Sequence, residues 1–304
     1  MKRLSVVAIS LFSLIALGGV AQATDLPARQ EGRIWYDQNL TVAFTPEWSL
    51  TVMPGFRTEY ARSREDATGV QFLELFVGPN YTHKIGDFTI KLSAWYYYMG
   101  YPSRGRYTEQ PQGSGNLACN TKIPTGSTAT VCTPTYNFSH DLEIIPSLEY
   151  RIGRWSIYDR IIFHNTFYAD VYNTEQPSLG LSVGDQRWGW GTVLRELVQG
   201  RYALTDRMGV LLADELFFGI IEDSDTSKIA GGNGYKTTGY WKNGFRQNRV
   251  YAGIDFKVTP ALTVTPMYML EVDASPTDST DVIDMSHNLF IIVSYVAKMY
   301  EDRK

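Results

Sequence analysis

Residues 136–152, YNFSHDLEIIPSLEYRI, alternate almost without a break. Tyr136, Phe138, His140, Leu142, Ile144, Pro146, Leu148, Tyr150 and Ile152 fall in one phase. Asn137, Ser139, Asp141, Glu143, Ile145, Ser147, Glu149 and Arg151 fall in the other. Successive side chains of a strand point to opposite faces, so this segment has one apolar and one charged face. The run is about three times as long as an ordinary strand. The same pattern recurs. Ile34, Tyr36, Leu40, Val42 and Phe44 oppose Asp37, Asn39 and Thr41, while Trp48, Leu50, Val52, Phe56 and Tyr60 oppose Thr51, Arg57 and Glu59. Phe88, Ile90, Leu92, Ala94, Tyr96 and Tyr98 oppose Thr89, Lys91 and Ser93, and Val250, Ala252, Ile254, Phe256 and Val258 oppose Gln247, Arg249, Asp255 and Lys257.

The turns repeat as well. Phe44-Thr-Pro-Glu-Trp-Ser-Leu50, Lys84-Ile-Gly-Asp-Phe-Thr-Ile90, Arg151-Ile-Gly-Arg-Trp-Ser-Ile157, Leu204-Thr-Asp-Arg-Met-Gly-Val210 and Val258-Thr-Pro-Ala-Leu-Thr-Val264 each place a tight Gly, Pro or Asp turn between alternating runs. Such a pattern predicts hairpins. The connections between hairpins, 63–69, 102–134, 173–188, 223–244 and 274–284, are longer and polar. Short turns at one end and long loops at the other are the habit of an outer-membrane barrel. Trp48, Phe88 and Trp155 would form one interfacial girdle, and Tyr60, Tyr98 and Tyr136 the other. A soluble β-sandwich also alternates, but with shorter strands and its polar face outward. Strand length and turn asymmetry favour the barrel.

The fold expected is therefore all-β, a single antiparallel up-and-down transmembrane barrel over residues 24–304. Eleven strands can be read: 34–44, 48–62, 70–83, 88–101, 136–152, 155–172, 189–204, 208–222, 246–258, 262–273 and 286–299. Bacterial single-chain barrels have even counts. The expectation is thus about 12 strands, with ten next. Either one strand is hidden in a loop, or residues 24–33 climb through the lumen. Strands 189–204 and 208–222 are the least clean, because the adjacent Asp214 and Glu215 must face opposite ways.

Lys2 and Arg3 precede a short apolar run, 6–20, and Ala21-Gln22-Ala23 has the small-x-small form of a cleavage site. Residues 1–23 read as a cleavable signal peptide. The expected location is the bacterial outer membrane, with its lipid as partner. In an oxidising compartment, Cys119 and Cys132 are expected to form a disulfide. The remaining composition agrees with a barrel. Mean hydropathy is -0.21 and no further run suits a membrane-spanning helix of about 20 residues. A net charge of -4 supplies no basic surface for nucleic acid.

Four pieces carry a family resemblance: Trp35 to Leu40, Pro54-Gly-Phe-Arg57, Asp214-Glu-Leu-Phe-Phe218 and Gln247-Asn-Arg-Val-Tyr-Ala-Gly253. Together they resemble a bacterial family known as domain of unknown function 2490, over nearly the whole mature chain. The resemblance implies an outer-membrane barrel and transfers no activity and no functional residue. The chain differs in its cysteine-containing 102–134 connection and in ending Tyr300-Glu-Asp-Arg-Lys304.

In a membrane barrel the charged phase faces the lumen. The lining candidates are Arg57, Glu59, Glu74, Lys91, Asp141, Glu143, Glu149, Arg151, Arg160, Arg249, Asp255, Lys257 and Glu271. One reading is a passive or weakly selective porin-like channel for small hydrophilic solutes. The other is that acids and bases pair across a narrow lumen in a non-conducting barrel, with surface-binding or lipid-directed hydrolase activity as its role. For the hydrolase, His140 stands beside Ser139, and His287 beside Ser286 and Asn288. Adjacent strand residues point to opposite faces, so neither pair makes a nucleophile–base contact within one strand. No CxxC, HExxH or phosphate-cradling motif is present, and neither metal nor cofactor is expected. The acidic stretches 223–226 and 278–284 read as solvated loops, and Gly231-Gly-Asn-Gly234 as a loop tip.

Overall fold

The computed structural model describes residues 29–62, 69–101, 121–122, 130–131, 137–171, 186–221, 244–273 and 284–300. The long strands are β1 (Arg29–Ala43), β2 (Trp48–Arg62), β3 (Gly69–Ile85), β4 (Phe88–Tyr101), β7 (Asn137–Ile152), β8 (Trp155–Val171), β9 (Gln186–Ala203), β10 (Met208–Ile221), β11 (Gly244–Lys257), β12 (Leu262–Asp273) and β13 (Asp284–Lys298). The two-residue strands β5 (Thr121–Lys122) and β6 (Thr130–Val131) pair with each other within the 102–134 connection. The long strands close a barrel in the order β1-β13-β12-β11-β10-β9-β8-β7-β4-β3-β2. Each of them corresponds to one of the eleven strands read in the sequence, to within a few residues at its ends.

The count and the closure correct the expectation of about 12 antiparallel strands. The wall has eleven, and β1 pairs with β13 in parallel, in one unbroken register from Arg29↔Asp284 to Ala43↔Lys298. With an odd count, the first and last strands of an up-and-down wall must run the same way. Residues 29–33 therefore belong to the wall, as the start of β1, instead of climbing through the interior.

The short turns are of two chemical kinds. Gly86 (φ 60°) and Gly153 (φ 59°) sit in left-handed backbone that glycine adopts without strain, closing the β3–β4 and β7–β8 hairpins in two residues. The other three turns rest on a threonine. Thr45 Oγ1 accepts from the amides of Glu47 and Trp48, Thr205 Oγ1 from Arg207 and Met208, and Thr259 Oγ1 from Ala261 and Leu262. Each hydroxyl satisfies amides that the turn leaves without a ladder partner.

Alternation sorts the side chains as the sequence reading requires. Leu92, Tyr96, Leu142, Leu148, Phe163, Ile254, Tyr268, Leu289 and Tyr295 all stand exposed on the outer wall, and Leu212 is 61% exposed there. Trp48, Phe88 and Trp155 are exposed at the turn end. Glu74, Asp141, Glu143, Arg249, Asp255 and Glu271 are buried inside. The usual arrangement of a small soluble protein is inverted, with carboxylates in the core and leucines outside. Two apolar clusters share the interior with the charges. One joins Trp35, Leu197, Ala213, Tyr251, Met267, Met269 and Phe290. The other joins Phe76, Trp95, Tyr97, Met99, Ile145 and Ile162.

Candidate functional site

The polar interior is organised as a belt in the half of the barrel nearer the long connections. Its centre is Glu215, whose side chain is 0% exposed. Its Oε1 accepts from Arg195 (Nη2 2.9 Å, Nε 3.2 Å) and lies 3.5 Å from Arg160 Nη2, while Oε2 accepts from Tyr251 Oη. Arg249 Nη1 approaches Oε2 at 3.9 Å. β8, β9, β10 and β11 thereby meet at one carboxylate. Arg249 continues the belt through Nε to Glu271 on β12 (2.7 Å), and Glu271 accepts from Arg33 on β1 (2.9 Å).

On the other side, Arg195 donates to Glu143 on β7 (3.2 Å), and Glu143 meets His164 Nδ1 (2.6 Å). His164 Nε2 lies 3.7 Å from Asp141, which accepts from Ser139 (3.2 Å). Tyr97 of β4 packs edge-on to the His164 ring and donates to Glu74 of β3 (2.8 Å). Glu74 and Asp37 of β1 then converge over Gly55 of β2, at the place a side chain there would occupy. Glu74 Oε1 is 3.0 Å from that position. A chain of acids and bases, bridged by Tyr97 and ending on the two acids over Gly55, so runs almost completely round the wall.

Aromatic rings hold the guanidinium groups in place. Arg249 lies over both Trp35 (4.9 Å) and Phe217 (4.5 Å), Arg57 covers Trp35 at 3.1 Å, and Arg195 faces Phe217 at 4.8 Å. A planar guanidinium can stack and donate at the same time, which a lysine could not do equally well. The strand register shifts between Arg57 and Thr58 and between Phe217 and Phe218, beside two of these residues, and between Gly32 and Arg33, beside the arginine that reaches Glu271. A bulge at such a shift re-aims neighbouring side chains.

Below the belt, Arg201 of β9 reaches Asp255 of β11 across β10 (2.6 and 2.8 Å), passing over Gly209. A Cβ on Gly209 would lie 2.7 Å from Asp255 Oδ1 and 2.8 Å from Arg201 Nη2. Gly209→Val is therefore expected to push the pair apart and lower stability by about 1–3 kcal/mol. The urea midpoint of the refolded barrel measures this, and an unchanged midpoint would contradict it.

The thirteen lining candidates divide accordingly. Arg57, Glu74, Asp141, Glu143, Arg160, Arg249 and Glu271 are members of the belt. Asp255 joins Arg201 below it, and Lys91 lies 5.8 Å above the Trp95 ring. Glu149 and Arg151 pair with each other at the turn end, Arg151 largely exposed, and Lys257 is exposed at that end too. The Glu59 side chain, Cys119, Cys132 and residues 1–23 lie outside the described residues. The sequence reading missed Arg33, His164, Arg195 and Arg201, and left Asp37 and Glu215, though it placed both in strands, out of the lining candidates. The hydrolase candidates separate as alternation required. Ser139, Ser286 and Asn288 are buried inside, whereas His140 and His287 meet the hydroxyls of Tyr96 (2.6 Å) and Tyr268 (2.7 Å) on exposed positions.

The four sequence pieces quoted for the family resemblance converge here. They supply Trp35, Gly55 with Arg57, Glu215 with Phe217, and Arg249 with Tyr251. A family model described as protein of unknown function (DUF2490) matches residues 32–281. The chain belongs to this family. No curated protein matches it. In this member of DUF2490, four pieces far apart in sequence contribute to one belt, two of them directly at the Glu215 carboxylate and the others linked to it through Arg249 and Trp35.

Proposed function

We propose that this DUF2490 protein is an outer-membrane barrel, exported by the 1–23 signal peptide, whose interior is sealed by its own side chains. The observation that carries this reading is the Glu215 node with its ring-stacked arginines. Arg249 on β11 lies over Trp35 on β1, three strands round the wall, so side chains from separate sectors meet in the interior. An apolar outer wall with a charged inner wall supports the membrane placement, since only a closed barrel satisfies its backbone in lipid without helices. The belt supports the non-conducting reading over a porin-like channel, because most of its acids and bases engage one another instead of standing along the wall for a solute. The role left to such a barrel is carried by its surface, where the long polar connections lie at one end.

Fractionation and planar bilayers test this together. The protein is expected in the outer-membrane fraction with a gel mobility that changes on heating, and the folded barrel is expected to give no conductance steps. Release with the periplasmic wash would overturn the membrane placement, and regular steps from folded protein would restore the channel. A Cys119–Cys132 disulfide belongs to the same reading, because β5 and β6 pair and bring the flanks of both cysteines together. Protein from the envelope should take up thiol reagent only after reduction; labelling without reductant would refute the bond.

A further inference from the structure

The outer wall is not apolar all round. On β8, β9 and β10, Asp159, Glu196 and Asp214 occupy outward positions. Asp159 stands between the exposed Ile157 and Ile161, Glu196 between the inward Arg195 and Leu197, and Asp214 between the inward Ala213 and Glu215. Val198 pairs with Asp159 on one side and Asp214 on the other, and Glu196 lies one outward position along, so the three form a triangle. They are close enough for Glu196 to feel both other charges. The same sector carries further polar groups: Thr192 donates to Asn165 (2.9 Å), and Asn248 to Asp214 (2.6 Å). Apart from Arg246, at the register shift beside Asn248 on β11, the outward rows of the other eight strands hold no Asp, Glu, Lys or Arg between their ends among the described residues.

Two features say what this surface lacks. Asp159 Oδ1 and Asp214 Oδ2, each screened from solvent by the wall itself, have no hydrogen-bond donor among the described residues, so the wall does not neutralise these carboxylates from within. The triangle also lies between the two ends of the strands, where lipid offers neither water nor donors, and carboxylates there oppose insertion. What covers it must bring donors and positive charge. A second copy does not, because patch against patch would set acid against acid.

We propose that the β8–β10 face is a docking surface for a different membrane-embedded polypeptide that presents arginine or lysine to Asp159, Glu196 and Asp214. This rests on the membrane reading above. Paired with a cation, each carboxylate gains a strong charge-assisted hydrogen bond in a medium that does not screen it. The surface then discriminates partners by charge and leaves the rest of the wall to lipid.

The test uses the full mature barrel refolded into phosphatidylcholine vesicles, with insertion verified by heat-dependent mobility. The probes are dansyl-labelled Leu-rich transmembrane peptides with either one central arginine or leucine at that site, read by energy transfer from the barrel's tryptophans. The arginine peptide is expected to associate about tenfold more tightly than the leucine peptide. The Asp159→Asn, Glu196→Gln, Asp214→Asn triple variant keeps the shapes, and should insert and lose that preference. Equal association of both peptides, or a preference that survives the triple variant, would overturn the proposal. So would self-association of the barrel through residue 196, detected by cross-linking. Failure to insert at all would instead strike the membrane reading.

Discussion

Replacing Glu215 with leucine is expected to destabilise the barrel by about 3–5 kcal/mol. That is a large fraction of the roughly 5–15 kcal/mol that holds a typical fold together. The reason is asymmetric. Glu215 is the shared acceptor for Arg195 and Tyr251, with Arg160 and Arg249 close by as ion-pair partners. Removing it strands several positive charges in an interior that cannot hydrate them, which is far worse than never having buried the set. Glu215→Gln keeps the shape and some acceptor capacity, and should lose less. Refolding yield into the compact form and the urea midpoint read both variants. A Glu215→Leu protein with the native midpoint would show that the arginines do not depend on this carboxylate.

Opening the plug should have the second large effect. Trp35 and Phe217 are the two rings between which Arg249 lies. Truncating both to alanine removes the apolar half of the cross-interior contact, and large-to-small changes at buried aromatics cost about 3–5 kcal/mol each. Where the variant still folds, water can reach the freed guanidinium. Conductance steps absent from the native protein should then appear in planar bilayers. Silence from a demonstrably folded double variant would place the seal elsewhere, for example at the Phe76–Tyr97 stack, whose rings lie 3.8 Å apart.

The wall was almost wholly legible in the sequence, because a period of two is a local property. Each of β2, β4, β7 and β12 shows it within its own run. The turns were legible for the same reason: Gly86 and Gly153 declare themselves within four residues, whereas the threonines on which the other three rest were passed over in favour of the Pro or Asp beside them. Closure was not, since it depends on Trp35 meeting Phe290, and no local pattern records a pairing between the ends of a chain. The belt was half legible. Parity assigned Glu143, Arg249 and Glu271 to the inner wall but could not say which charges touch. Glu215 was hidden by its neighbour, because Asp214 beside it made the strand look irregular. That irregularity was itself the signal. One carboxylate serves the interior, and the other belongs to the outward acidic triangle.

The parallel closure sets this barrel's weakest line. Every other adjoining pair of wall strands is antiparallel and consecutive among the wall strands, half of them tied by a short hairpin turn; β1 and β13 are joined by no turn and come from opposite ends of the wall-forming chain. Parallel ladders are slightly less stable per residue, and this one is completed only after the rest of the chain is in place. It is a zip with no stitched end. Sideways separation of the wall should therefore begin between β1 and β13. Among the belt contacts, the Arg33–Glu271 bridge, from β1 to β12, spans that seam and works as its clasp.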